Sequence, residues 1–312
     1  MLSVRIMQAH GFEVEALNIR TLYSCCQAAA AQSAGDLGAR LTVLSVGDDY
    51  LDVIRNPLYG YGRGVNPCID CRIHMCRMAR RFMEEVGACV VVTGEIAGQR
   101  PMSQKKHHLE VIARRSGLEG RLLRPLSARL LAPTALEQAG IVDREHLYGF
   151  HGRSRRELIE LAQRLNLPEV PTPSTGCALT EPSFAPRVRD LMRYDLRANR
   201  WDFELLSYGR HFRFDPQTKI VVGRNAADNA ALRWLAARQD APETTLLTPE
   251  NFVGPDALVV GQGTAPTKEY AGALMLHYAH RNASARVRLH ANGVQTVADV
   301  SCCAIAESAA AL

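Results

Sequence analysis

Three cysteines stand where their thiols could bind a metal or carry sulfur. Cys68 and Cys71 form a Cys-x-x-Cys pair where a loop is predicted to enter a helix, and backbone N–H groups at a helix N-terminus favour the thiolate form. Cys177 follows Gly176 in a later, proline-rich loop. Because iron–sulfur clusters usually take four cysteines, three thiolates would suit a [4Fe–4S] cluster with one iron open to a reacting ligand.

Other interpretations of these thiols stay open. A Cys-x-x-Cys pair is also typical of a structural zinc site or a redox pair. Cys76 is a rival fourth ligand, but it lies five residues after Cys71, about one and a half helical turns, and should face away from it. The adjacent pairs Cys25-Cys26 and Cys302-Cys303 are predicted to pack as small apolar side chains.

A second polar group follows the apolar strand predicted to end at Thr93. Gly94 and Glu95 come directly after Thr93, and Arg100 lies in the loop beyond them. Open α/β sheets bind ligands beyond the carboxyl ends of their strands. Gly94 would allow close approach of a ligand, Arg100 could clamp a phosphate with two hydrogen bonds, and Arg124 could join the same rim. The alternative is an ordinary strand-to-helix turn.

The elements that must position these residues alternate between helices and short apolar strands. This alternation predicts an α/β domain with a doubly wound parallel sheet over residues 1–198. The predicted helices are 1–10, 23–37, 48–55, 71–86, 103–116, 153–166 and 182–194, and the predicted strands are 12–19, 41–46, 89–93 and 121–126.

The rest of the chain has a different pattern. After a junction at 195–204, several strands mix with two helices, which predicts a smaller α+β module over residues 199–312. The predicted strands are 220–222, 245–247, 257–260, 286–290 and 295–300, and the predicted helices are about 228–239 and 267–281.

Composition and charge narrow the classes of function. With 47% hydrophobic and 22% charged residues the chain is not disordered as a whole. No apolar stretch is long enough for a membrane span, and nine cysteines without a signal peptide predict a reducing compartment, the cytoplasm.

The positive charge is uneven along the chain. Residues 1–200 hold 27 basic and 21 acidic residues, a net charge of +6, whereas residues 201–312 hold 10 and 11, a net charge of −1. The basic first part suits a phosphate-rich partner such as RNA, although arginine enrichment by genome composition would look the same. In the second part Arg210, His211, Arg213 and Arg224 could form one basic face; an ordinary solvated surface is the alternative.

These motifs together resemble a known group of proteins. The segments 66–71, 92–104, 122–128 and 176–177 resemble PP-loop ATPases that thiolate tRNA. The segments 209–213 and 220–225 resemble the NFACT-R RNA-binding module, which one branch of that group carries at its C-terminus.

The resemblance implies a tRNA sulfurtransferase. In such enzymes ATP, with Mg²⁺, adenylates a uridine carbonyl oxygen, and sulfur then displaces AMP. Thr93, Gly94, Glu95 and Arg100 would bind the nucleotide. Cys68, Cys71 and Cys177 would hold a [4Fe–4S] cluster; alternatively, Cys68 and Cys177 would act as a persulfide and disulfide relay. The partners would be tRNA and a sulfur donor, either a cysteine desulfurase or sulfide.

The sequence departs from that group at its start. The pyrophosphate loop Ser-Gly-Gly-x-Asp-Ser and the strand before it are missing, since residues 1–3 already belong to the first predicted helix. We expect Met1 to be internal to a longer natural protein, and we do not expect this polypeptide alone to turn over ATP. The alternatives are an inactive RNA-binding paralogue with a structural metal site, and a zinc or iron–sulfur redox protein.

Overall fold

The computed structural model describes residues 1–23, 27–167, 176–280, 284–291, 293–302 and 310–312. The chain divides into two compact units, Met1–Cys177 and Ala178–Leu312. The predicted domain limits, 1–198 and 199–312, stay a prediction. Cys25, Cys26, Cys303 and the loop segment 168–175 lie outside the described residues.

The first unit contains two pairs of parallel strands. Strand β1 pairs with β2, and β3 pairs with β4. Both connections pass through helices, as in doubly wound folds. The four strands do not form one sheet among the described residues. This is the arrangement expected when no middle strand hydrogen-bonds to both halves. The elements are α1 Leu2–Ala9, β1 Glu15–Arg20, α2 Gln27–Asp36, β2 Arg40–Ser45, α3 Asp49–Arg55, α4 Cys68–Glu85, β3 Val91–Val92, α5 Lys106–Arg115, β4 Leu122–Leu123, α6 Ala135–Gln138 and α7 Arg156–Arg164.

Helix α4 shows how the first unit is held together. Its buried residues Ile69, Ile73, Cys76 and Met83 recur at helical spacing and form one apolar face. They pack against α5, the loop after it, and β4. The packing holds the N-terminus of α4, where the cysteine pair lies, against the rest of the unit.

The second unit is built on a six-stranded antiparallel sheet, as the predicted α+β module requires. The strand order is β10-β9-β7-β8-β6-β5, so β5 and β10 are the edge strands. The edge strand β5 and helix α9 were not predicted, although Phe212 and Phe214 alternate with charged residues in β5; α9 is only six residues long. The elements are α8 Ala185–Tyr194, α9 Arg200–Leu205, β5 Arg210–Asp215, β6 Thr218–Val222, α10 Ala226–Ala236, β7 Thr244–Pro249, β8 Ala257–Val260, α11 Ala265–Tyr278, β9 Ala285–Ala291 and β10 Val294–Val300.

Helices cover both faces of this sheet. Ile220 and Val222 of β6 pack on the face that α11 covers. Val221, between them, packs on the opposite face with Trp201 of α9 and Leu232 of α10. This alternation follows from the two-residue period of a strand. Within the described residues, no helix is both long enough and apolar enough to span a membrane.

Candidate functional site

The first turn of α4 holds the cysteine pair. The helix begins at Cys68, three residues before its predicted start at Cys71, and the backbone N–H of Cys71 donates to Pro67 O at 2.8 Å. The carboxylate of Asp70 accepts from the backbone N–H groups of Leu58 and Tyr59, each at 3.0 Å. Asp70 therefore ties the preceding loop to the first turn of the helix, from which both cysteine side chains extend.

Cys71 lies in a buried environment. Its Sγ is 3.1 Å from the hydroxyl of Tyr50, whose side chain is 2% exposed and whose ring packs beside His74. Burial raises the pKa of Cys71 to about 11, although the bond from Tyr50 and the charge of Arg72 act in the opposite direction. Burial therefore acts against the thiolate form of Cys71 that the helix N-terminus would favour.

Cys177 lies within electrostatic reach of the pair. Burial is the main cause of the raised pKa of Cys71, and negative charge on Cys177 and on Cys68 raises that pKa further. Cys68 and Cys177 are both partly exposed. The structure thus brings the late-loop thiol to the neighbourhood of the early pair.

The three thiols do not form a closed metal site. Among the described residues no group of three or more His, Cys, Asp or Glu side chains is placed to hold a metal ion. A cluster or a zinc ion on Cys68, Cys71 and Cys177 stays a prediction. Cys76 packs in the apolar core of α4, where burial raises its pKa to about 12.

The end of β3 carries a buried ion-pair network centred on Glu95. Arg124 Nε donates to Glu95 Oε2 at 2.9 Å, and Thr93 Oγ1 donates to the same oxygen at 3.3 Å. Arg124 is 5% exposed, so the prediction that it joins an open rim is wrong: it serves as the counter-ion of Glu95.

Arg72 connects this network to the thiols, and sequence reasoning missed it. It follows Cys71 in α4, and its Nε lies 3.7 Å from Glu95 Oε1. Burial lowers the pKa of Arg72, but the negative charges of Glu95, Cys71 and Cys68 outweigh burial and raise that pKa above its usual value. The sequence indicated a role for Arg72 only through its position next to the cysteine pair.

Buried polar atoms without a hydrogen-bond partner occur in Glu95 and in the loop that follows it. Ser103 Oγ and Gln104 Oε1 have no hydrogen-bond partner among the described residues, and Glu95 Oε1 has only the ion pair with Arg72. Buried polar atoms of this kind are normally satisfied by a water or a ligand. Gly94 is exposed and Arg100 is partly exposed beside them in sequence.

The basic residues of the second unit do not form the predicted open face. His211 is fully buried, with Nε2 bonded to Tyr208 O at 2.8 Å, and burial holds its pKa well below the usual value. Arg213 and Arg224 are bound to carboxylates. Of the three arginines in the predicted set, Arg210 alone has no carboxylate partner within the described part of the chain.

The second unit is thus an α+β module with a six-stranded antiparallel sheet and helices on both faces. Residues 209–308 of this module match the family described as the NFACT protein RNA binding domain. The match begins at Gly209, just before edge strand β5, and covers the whole sheet.

The other comparisons are weaker. No curated protein matches the chain. A solved structure, the C-terminal part of the fibronectin/fibrinogen-binding protein from Streptococcus suis, is similar at 12% identity, covering 76% of this chain and 91% of that one. The TM-score of 0.26 is too low for the two chains to share an overall arrangement.

Proposed function

We propose that this protein binds RNA through its second unit and transfers sulfur to a tRNA uridine through its first. The match of residues 209–308 to an RNA-binding domain supports the first part. The observation that supports the second part is the electrostatic interaction of Cys177 with Cys71, whose neighbour Arg72 pairs with Glu95. A module that only bound RNA would need no such set of thiols.

The exposure of the thiols suggests which two cysteines would carry sulfur. Cys71 is buried and protonated, whereas Cys68 and Cys177 are partly exposed, so the relay is assigned to these two. The Cys68 thiolate would attack the outer sulfur of a cysteine desulfurase persulfide, which forms a persulfide on Cys68 and releases the desulfurase cysteine as its thiolate. In the natural protein, adenylation of the uridine carbonyl oxygen by ATP would come first, with release of pyrophosphate; this polypeptide alone is not expected to carry out that step.

The terminal persulfide sulfur would then attack the activated carbon. A carbon–sulfur bond forms, the carbon–oxygen bond breaks, and AMP leaves. The thiolate of Cys177 would attack the Cys68 sulfur, which forms a Cys68–Cys177 disulfide and leaves the second sulfur on the base. A thiol reductant then restores both cysteines.

The nucleotide site is proposed at Thr93, Gly94, Glu95 and Arg100, beyond the end of β3. The buried polar atoms of Glu95, Ser103 and Gln104 that lack a hydrogen-bond partner among the described residues support this site. Glu95 would act mainly by holding Arg72 and Arg124 in place, and Gly94 and Arg100 are the more accessible groups. No step here depends on a [4Fe–4S] cluster, whose ligands are not assembled in this structure.

A second candidate is RNA binding without sulfur transfer, with the thiols serving a structural metal. The match of residues 209–308 to an RNA-binding domain favours it, because that match supports RNA binding without sulfur transfer.

The test is complementation of cells that lack the gene, with every variant expressed from the gene's own genomic locus. Thiolated nucleosides in tRNA are measured by mass spectrometry. The wild type and Cys89→Ser, which alters an exposed cysteine away from the site, should restore one thiolated uridine. Cys68→Ser and Cys177→Ser should not. If deletion of the gene removes no thiolated base, sulfur transfer is refuted, and direct RNA binding is then measured by itself.

Anaerobic purification separates the metal alternatives. About four irons per chain, lost on Cys177→Ala, would support a cluster. One zinc and no iron would support the structural metal site and the second candidate. Neither metal, with a persulfide detected on Cys68, would support the relay.

A further inference from the structure

A row of aromatic rings and one guanidinium runs along edge strand β5 and helix α11. Alternate residues of β5 face α11, as the packing of Phe212 into the α11 core shows. We call the set Arg210, Phe214, Tyr270 and Tyr278 the aromatic stripe. Arg210 Cζ lies 4.3 Å from the centre of the Tyr278 ring, and the Phe214 and Tyr270 ring centres are 5.5 Å apart.

The stripe is only partly used by the fold. Phe212, between its members, is 2% exposed and belongs to the core, but Phe214 is 38% exposed at the end of the strand. Arg210 donates to Gly223 O at 3.4 Å and otherwise lies over Tyr278. An exposed ring and a guanidinium plane are therefore available on one side of the sheet.

Many positive charges of the second unit are already paired with carboxylates, so few of them are available to bind phosphate groups. The second unit, residues 178–312, holds 15 basic and 14 acidic residues, a net charge of +1, and five of its arginines are held by carboxylates of the same unit. These ion pairs are Arg213–Asp190, Arg224–Asp228, Arg233–Asp256, Arg238–Glu204 and Arg288–Glu250. A module that neutralises its own cations in this way is poorly suited to gripping a duplex by its backbone.

We propose that the aromatic stripe binds unpaired bases of single-stranded RNA by stacking. The inference rests on the proposed RNA binding of this unit and names the surface and the kind of RNA. Unpaired bases stack on aromatic side chains and on arginine planes, whereas bases inside a duplex do not expose their faces. Stacking also needs no excess of positive charge.

The experiment measures dissociation constants of the full chain for an unstructured oligouridine and for an RNA duplex of equal length, each at low and high salt. Phe214→Leu keeps apolar packing but removes the ring, and Phe214→Tyr restores a ring. Trp234→Ala is the matched control: Trp234 is 57% exposed and lies on α10, which covers the other face of the sheet.

Phe214→Leu should weaken binding of the single strand at least about fivefold, the lower range for loss of one stacked base. The loss should be similar at both salt concentrations, because stacking is not screened, and it should be absent for the duplex. Phe214→Tyr and Trp234→Ala should bind like the wild type. Ultraviolet cross-linking of the wild type should modify peptides that contain Phe214 or Tyr270.

Each other outcome is decisive. If the wild type binds no RNA, the proposed function of this unit is wrong and the inference falls with it. If the wild type binds but Phe214→Leu binds equally well, the stripe is not the surface, although RNA binding stands. A loss that disappears at high salt, or that affects the duplex equally, would show a phosphate contact. Cross-links confined to the first unit would also overturn the inference if Phe214→Leu were too unstable to assay.

Discussion

Replacing Glu95 with glutamine removes the charge at the centre of the buried network in the first unit. The Glu95 and Arg124 side chains are 5% and 4% exposed and 2.9 Å apart, whereas Arg72 is 30% exposed and can turn to water. Breaking a buried pair on one side costs about 3–5 kcal/mol, because the remaining charge is left uncompensated. The amide oxygen can still accept one hydrogen bond, so we expect about 3 kcal/mol. For a unit of this size that lowers Tm by about 6–12 °C.

Hydrogen exchange with mass spectrometry is the suitable assay, read on peptides of the first unit. Tryptophan fluorescence would not report on this unit, because Trp201 and Trp234 both lie in the second. The control is Glu160→Gln, which breaks the exposed pair with Arg156 and should cost less than about 0.5 kcal/mol. If Glu95→Gln were no more destabilising than Glu160→Gln, the network would not carry the stability assigned to it.

Three further outcomes follow from the structure. Iodoacetamide at pH 8 should label exposed Cys89 and spare Cys71, whose pKa burial raises to about 11, with labelling of Cys71 rising toward that pH; equal labelling by mass spectrometry would contradict this. Burial lowers the pKa of Lys219 from 10.5 to about 8, so the unfolded chain binds more protons between these values. The free energy of unfolding of the second unit should therefore rise from pH 8 to 10.5, by about 3 kcal/mol, and Lys219→Met should abolish that rise in urea titrations. Gly209→Ala should cost about 1–3 kcal/mol more than Gly293→Ala: both glycines have positive φ, but a Cβ at Gly209 would lie 2.8 Å from a backbone oxygen of β6, whereas at Gly293 it meets open space. Equal melting temperatures for the two variants would refute the clash.

The positions of the elements were largely predictable from local sequence. Helix α4 begins within three residues of its predicted start at Cys71, and all five predicted strands of the second unit are present. Apolar periodicity and turn residues act over a few positions, so the sequence reports them directly. Edge strand β5 was not predicted although Phe212 and Phe214 alternate with charged residues, a pattern of only four residues; its pairing with β6 and its packing on α11 are set by residues distant in sequence.

The division of the first unit into two parallel pairs was not predictable in the same way. Each pair is a local strand–helix–strand unit, but whether β1 and β3 share a sheet depends on hydrogen bonds between segments far apart in the chain. The prediction of one doubly wound sheet therefore described the connections correctly and the pairing only in part.

The sequence by itself determined which chemical groups this protein has and where local structure begins: a cysteine pair at a helix start, a later cysteine beside a glycine, and a C-terminal α+β module. Only the tertiary structure decided the state of those groups. It buried Cys71 against Tyr50 and so kept it protonated, turned Arg124 inward onto Glu95, and neutralised Arg213 with Asp190. Burial and ion pairing are set by residues distant in sequence, and a linear pattern of residue types does not contain those distances.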